Sequence, residues 1–115
     1  MTGLADPLPF DIAPREVQAL LKASEDFLLL DCRERDEHAL ARIAGATLMP
    51  MSELGARVAE LLPHRQRRIV VHCHHGGRSS QVVEWLRQQS FTRAQNLSGG
   101  IDEWSLQVDP TVPRY

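Results

Sequence analysis

The sequence predicts an α/β architecture built on a mostly parallel sheet, and three observations carry that prediction. Continuous apolar runs stand at residues 27–30 and 69–71, as in strands buried on both faces. Segments with apolar residues at helical spacing alternate with these runs. Asp31-Cys32 and Cys73 close the two runs, at the strand ends where ligands of such sheets bind.

A chain of 115 residues suits one domain with one lead-in and one tail. Residues 1–9, with two prolines, read as a flexible lead-in, and residues 109–115, also with two, as an extended tail. Residues 10–12 can form a very short strand. Residues 14–22 read as a helix, with Pro14 in the first turn and Val17, Leu20 and Leu21 on one face. Residues 27–30 are the first buried strand. Residues 33–42 are rich in charge, with room for one helical turn. Residues 46–49 form the next strand, stopped by Pro50. Ser52 is placed to cap a helix running to about Leu62. Residues 63–68 form a basic loop, followed by the second buried strand. Residues 79–89 read as a helix with Val82, Val83 and Leu86 facing in. Residues 94–97 suit a last strand, Gly99-Gly100 a turn, and residues 101–107 a short helix carrying Trp104.

A net charge of -2 and a basic loop without interleaved aromatics argue against a nucleic-acid partner. No apolar run approaches the roughly 20 residues of a membrane span, and residues 1–10 lack the character of a signal peptide. The expectation is therefore a cytoplasmic protein with free thiols at its two cysteines.

The chemistry concentrates in residues 72–79, His-Cys-His-His-Gly-Gly-Arg-Ser. A strand, a tight loop and a helix start place the Cys73 thiol where backbone N–H groups converge, which favours its thiolate. Residues 74–78 can turn successive N–H groups inward as an anion-binding nest, and Gly76 and Gly77 supply the dihedrals this needs. Arg78 adds a fixed positive charge. Ser79 can cap the helix or donate its hydroxyl to sulfur or oxyanion. His74 and His75 can add positive character near the anion, while His72 belongs to the strand. Adjacent histidines in one loop rarely converge on one ion, so no metal is expected. A cysteine–histidine protease pair lacks a separate orienting partner.

Cys73-His-His-Gly76-Gly-Arg78-Ser79 resembles the active loop of rhodanese-like sulfurtransferases, Cys-x-x-Gly-x-Arg-Ser. Three further stretches agree in order: Leu30-Asp31-Cys32-Arg33-Glu34, Ala41-Arg42-Ile43-Ala44-Gly45-Ala46 with Pro50, and Leu97-Ser98-Gly99-Gly100-Ile101 with Trp104. The resemblance covers about residues 10–108. Arg42, Ala44 and Cys32 depart from the family's usual histidine, proline and valine.

The resemblance implies a three-layer rhodanese-like fold around a five-stranded, mainly parallel sheet flanked by helices. It implies that Cys73 takes sulfane sulfur from thiosulfate or a persulfide as its own persulfide. The sulfur then passes to a thiophilic acceptor, cyanide in assays or a cellular thiol, with His74, His75, Gly76, Gly77, Arg78 and Ser79 binding the donor. No cofactor is implied. The partners are a small-molecule donor and a thiol acceptor, or a sulfur-accepting protein. Asp31 and Arg33 are expected to brace the loop as an ion pair. Two rivals follow from the same residues. One is a relay module that works only with a partner protein. The other is a cysteine phosphatase of the same fold, which would need Cys-x5-Arg where this chain has Cys-x4-Arg. Cys32 resembles the protective second cysteine of those phosphatases. It is read either as a redox partner of Cys73 or as a small buried hydrophobe.

Overall fold

The computed structural model describes residues 6–115. Among these, five strands form one sheet: β1 (Asp11–Ile12), β2 (Phe27–Asp31), β3 (Thr47–Leu48), β4 (Arg68–His72) and β5 (Ala94–Leu97). Their spatial order is β1-β5-β4-β2-β3 and every pairing is parallel. The helices are α1 (Pro14–Lys22), α2 (Arg35–Leu40), α3 (Met51–Arg57), α4 (Gly77–Gln88) and α5 (Gly100–Gln107), with a 3₁₀ segment at Val58–His64.

The apolar runs are continuous because each strand feeds two cores. Successive side chains point to opposite faces. Leu30, Cys32, Ile69, Val71 and Cys73 pack with Leu54 of α3 and Val82, Val83 and Leu86 of α4. Leu29 and Val70 face the other way, onto Val17 of α1 and Ile101 and Trp104 of α5. The result is three layers, with β4 at the centre and flanked by β2 and β5. Cys73 continues the alternation of Ile69 and Val71, so its side chain falls on the α4 face.

Two helix starts differ from expectation. Met51 opens α3, and Ser52 does not cap it. The Ser52 hydroxyl instead donates to Glu34 Oε1 at 2.9 Å. That helix tightens into the 3₁₀ segment at Val58, and Leu62 turns outward, 48% exposed. The helix after the active loop starts at Gly77, not at Ser79, because Gly76 takes φ +108° and serves as its N-cap. Ser79 thus lies in the first turn, and its hydroxyl makes no cap.

Both flanks are tied to the domain. Arg87 Nη2 donates to the Leu8 carbonyl at 2.7 Å and Gln95 Nε2 to that of Pro9 at 3.0 Å. The tail is not simply extended. Val112 N–H donates back to Asp109 O at 3.1 Å, and Val112 is buried. That turn brings Tyr115 onto the loop after β4. Residues 1–5 of the expected lead-in lie outside the described residues. No described helix is long and apolar enough to cross a membrane.

Candidate active site

Cys73 stands one residue beyond β4 and is 1% exposed. Burial alone would raise its pKa. The Ser79 hydroxyl and the N–H groups of Ser79, Gly76 and Arg78 outweigh that and hold it below the usual thiol range. Gly76 N–H donates to Sγ at 3.1 Å, and Ser79 Oγ lies 3.3 Å from it. Ser79 Oγ is also 2.6 Å from Asn96 Oδ1, and Asn96 Nδ2 donates to Asp11 Oδ1 at 3.1 Å. Ser79 has one proton for two acceptors. It can serve either Asn96 or the sulfur, and a thiolate is the stronger of the two claims on it. Ser79→Ala is expected to move the ultraviolet thiolate titration of Cys73 upward. It should also slow alkylation at neutral pH roughly tenfold, since a hydrogen bond to a charged group contributes about 1.5–3 kcal/mol.

The loop is stitched to α5. Ile101 N–H donates to Cys73 O at 2.9 Å, and Asp102 N–H to His74 O at 3.1 Å. Gly100 has φ +62°, and a Cβ there would lie 2.5 Å from His74 O and 2.7 Å from Cys73 O. Neither backbone atom can yield without moving the loop. Gly100→Ala is expected to cost about 2–4 kcal/mol of unfolding free energy in urea, from left-handed strain and overpacking together.

Arg78 does not aim its guanidinium at the sulfur. Its two terminal nitrogens donate to Glu37 Oε1 and Oε2 at 2.7 and 2.8 Å. Arg78 drives the Glu37 carboxyl down to about 2. Glu37 is held in turn: Oε1 accepts the Glu34 N–H at 3.2 Å, and Oε2 accepts the Tyr115 hydroxyl at 2.8 Å. The Tyr115 ring stacks on His74, with centroids 3.9 Å apart and planes 6° apart. Burial and the neighbouring His75 lower the His74 pKa. His75 is mostly exposed and lies 3.9 Å from the Asp102 carboxylate.

Asp31 and Arg33 form a fully buried ion pair, and Arg33 uses every donor it has. Nε and Nη2 donate to Asp31 at 3.0 and 2.8 Å, and Nη2 also to Ala41 O at 2.6 Å. Nη1 donates to Tyr115 Oη at 2.8 Å and Glu37 O at 3.3 Å. The pair therefore fastens α2, which presents Glu37 to Arg78. Burial would raise the Asp31 pKa, but Arg33, His72 and His38 bring it down to about 2. Burial pushes His72 down to about 4. It is neutral near pH 7, so its 3.9 Å approach to Asp31 is no ion pair there. Cys32 is 0% exposed, with its thiol pushed up to about 12 by burial and then by Cys73 and Asp31. It follows the Asp31–His72 register pair directly, which sets it beside Cys73, and both are free thiols.

The constellation is thus a buried, ionisable thiol ringed by backbone donors at the carboxyl end of the central strand. The model of the rhodanese-like domain matches residues 13–107. The chain belongs to the rhodanese-like family. A sulfurtransferase of Allochromatium vinosum is 34% identical over 102 residues, covering 89% of this chain and 94% of its own length. The rhodanese-like/PpiC domain-containing protein 12 of Arabidopsis thaliana chloroplasts is 36% identical over 89 residues. That match takes in 76% of this chain but only 30% of the plant protein. A rhodanese-related protein from Thermoplasma volcanium superimposes with a TM-score of 0.78 at 30% identity, covering 93% of this chain and 100% of the other. The three-layer, five-stranded fold expected from the resemblance is the fold of this rhodanese-like domain, with a wholly parallel sheet. Its kinship is with sulfurtransferases.

Four residues of this rhodanese-like site were not singled out from the sequence: Glu37, Asn96, Asp102 and Tyr115. Glu37 and Arg78 are 41 positions apart, and Tyr115 and Arg33 are 82. Only the charge-rich character of residues 33–42 hinted at the first.

Proposed function

We propose that the domain moves sulfane sulfur from thiosulfate or a persulfide donor to a thiophilic acceptor through a persulfide on Cys73. The hydrogen bonds from Gly76 N–H and Ser79 to Cys73 Sγ carry this reading. They stabilise a thiolate and, after it, the terminal sulfur of a persulfide. The Cys73 thiolate attacks the outer sulfur of thiosulfate. The sulfur–sulfur bond of the donor breaks and sulfite leaves with the electron pair. An acceptor nucleophile then takes the outer sulfur and returns Cys73 as thiolate, a two-step covalent cycle.

Charge division within the loop follows from Arg78. Because Glu37 engages its guanidinium, anion binding falls mainly to the backbone N–H groups and the start of α4, with Arg78 holding loop shape. Asp31 and Arg33 act one layer further out, by fixing α2. His74 and His75 follow Cys73 directly in the loop, where His75 is mostly exposed and adds a polar side chain beside the site. Cys32 acts as a packing residue, because a buried thiol with so high a pKa is a poor attacking group.

The test is intact mass after thiosulfate treatment, followed by peptide mapping. One added sulfur on the Cys73 peptide, removed by reductant, is expected. An unmodified protein would overturn the reading, and rapid aryl-phosphate turnover would favour the phosphatase. Transfer to small thiols supports a free-standing enzyme, whereas transfer seen only with a partner protein supports a relay. Mild peroxide is expected to leave no Cys32–Cys73 disulfide, and a mass loss of two hydrogens reversed by reductant would make Cys32 a redox partner.

A further inference from the structure

We propose that His74, His75 and Asp102 form a binding site for a divalent transition-metal ion of the Zn²⁺ class, at the edge of the active loop. The loop alone offers two adjacent imidazoles. The separated third ligand comes from α5. One donor atom from each of the three residues lies within 4.8 Å of the others. Two imidazole nitrogens and one carboxylate oxygen are an ordinary zinc set, with a fourth position open.

The backbone under the ligands is already tied together. Asp102 N–H donates to His74 O at 3.1 Å, and Gly100 packs directly on the loop carbonyls. The His74 and His75 rings sit side by side, with centroids 3.9 Å apart. Stacking on Tyr115 fixes the His74 plane. His74 Nε2 is a buried nitrogen with no hydrogen-bond partner, a cost that a bound metal would remove. Tetrahedral zinc sets its ligand atoms about 3.3 Å apart, given bonds of about 2 Å. The mostly exposed His75 side chain can supply the remaining closure.

A cation already sits on the Asp102 carboxylate: Arg114 Nε donates to Asp102 Oδ1 at 2.8 Å and Nη2 to Oδ2 at 3.3 Å. A metal ion would compete with that guanidinium. Occupied, the site would clamp the residue after Cys73 to α5.

Calorimetric titration with Zn²⁺ tests the proposal, using the Cys73→Ser chain so that the reactive thiolate takes no metal. The wild-type chain with Cys73 blocked by iodoacetamide serves as a second background should the serine variant misfold. One zinc ion per chain is expected. His75→Ala and Asp102→Asn should each weaken binding at least about tenfold, as loss of a ligand exceeds the effect of its outer supports. Arg114→Ala should tighten it a few-fold by removing the competitor, and His64→Ala, remote from the site, should leave it unchanged. Absence of zinc binding in both backgrounds overturns the proposal, as does equal binding by the parent, His75→Ala and Asp102→Asn chains. Neither outcome bears on sulfur transfer, because neither background can form a persulfide on Cys73.

Discussion

Replacing Cys73 with serine is expected to lower thiocyanate formation from thiosulfate and cyanide by at least about a thousandfold, since loss of a covalent nucleophile removes the pathway itself. The hydroxyl is nearly the size of the thiol and can accept the Gly76 N–H that now reaches Sγ at 3.1 Å. The fold should therefore stay intact, with an unchanged circular dichroism spectrum and a midpoint of urea unfolding close to wild type. What is lost is ionisation. Backbone donors and Ser79 lower the pKa of a thiol, but no such set of hydrogen bonds ionises an alcohol near neutral pH. Retention of more than a tenth of the activity would remove Cys73 from the mechanism. The loss should be complete in both half-reactions, with no sulfite released in a single turnover.

That a thiol stands between a buried strand end and a helix start was legible because local rules converge on it. A doubly buried strand, two glycines and a helical period meet within about a dozen residues, and each rule concerns neighbours in sequence. The runs at residues 27–30 and 69–71 read correctly because β2 and β4 lie inside the sheet and bury both faces. The start of α4 was misplaced because serine is the common cap, whereas here the positive φ of Gly76 sets the boundary. Ser52 failed as a cap for a different reason: its hydroxyl is claimed by Glu34 across the fold. Arg78 shows the wider limit. Its charge is plain in the sequence, but its direction depends on a carboxylate 41 residues away. Asn96 likewise reads as an ordinary strand residue until β5 is set beside β4. The Asp31–Arg33 pair was visible because its members are two residues apart. The depth of its burial, and its link through Tyr115 and Glu37 to the loop, are tertiary facts.

That burial makes Arg33→Met the most destabilising change foreseen. The guanidinium is 0% exposed, and the substitution leaves the equally buried Asp31 carboxylate with His38 as its remaining close side-chain partner. Stranding one member of a buried pair costs about 3–5 kcal/mol, even where the intact pair adds little over an apolar filling. The Glu37 and Ala41 carbonyls and the Tyr115 hydroxyl also lose a donor, so the loop should loosen with the domain. The pH dependence separates this electrostatic cause from simple misfit. In the wild type, His72 titrates near pH 4 when folded against an ordinary value of 6.5. Between those limits the unfolded chain binds the extra proton, so stability falls on acidification, by on the order of 3 kcal/mol. Asp31 has its folded pKa depressed from 3.8 to about 2, so its contribution holds above pH 4 and is lost as pH falls through 2. Without Arg33, the positive charge that opposes His72 protonation is gone, and so is the main hydrogen-bonding support of ionised Asp31. His72 can then take a proton beside Asp31 in the folded state. The stability gap between wild type and Arg33→Met should thus be widest near pH 7 and narrow toward pH 4. Urea unfolding across that range measures it. A gap that stays constant with pH would assign the loss to packing, and one below about 1 kcal/mol would show that the buried pair does not hold α2 against the active loop.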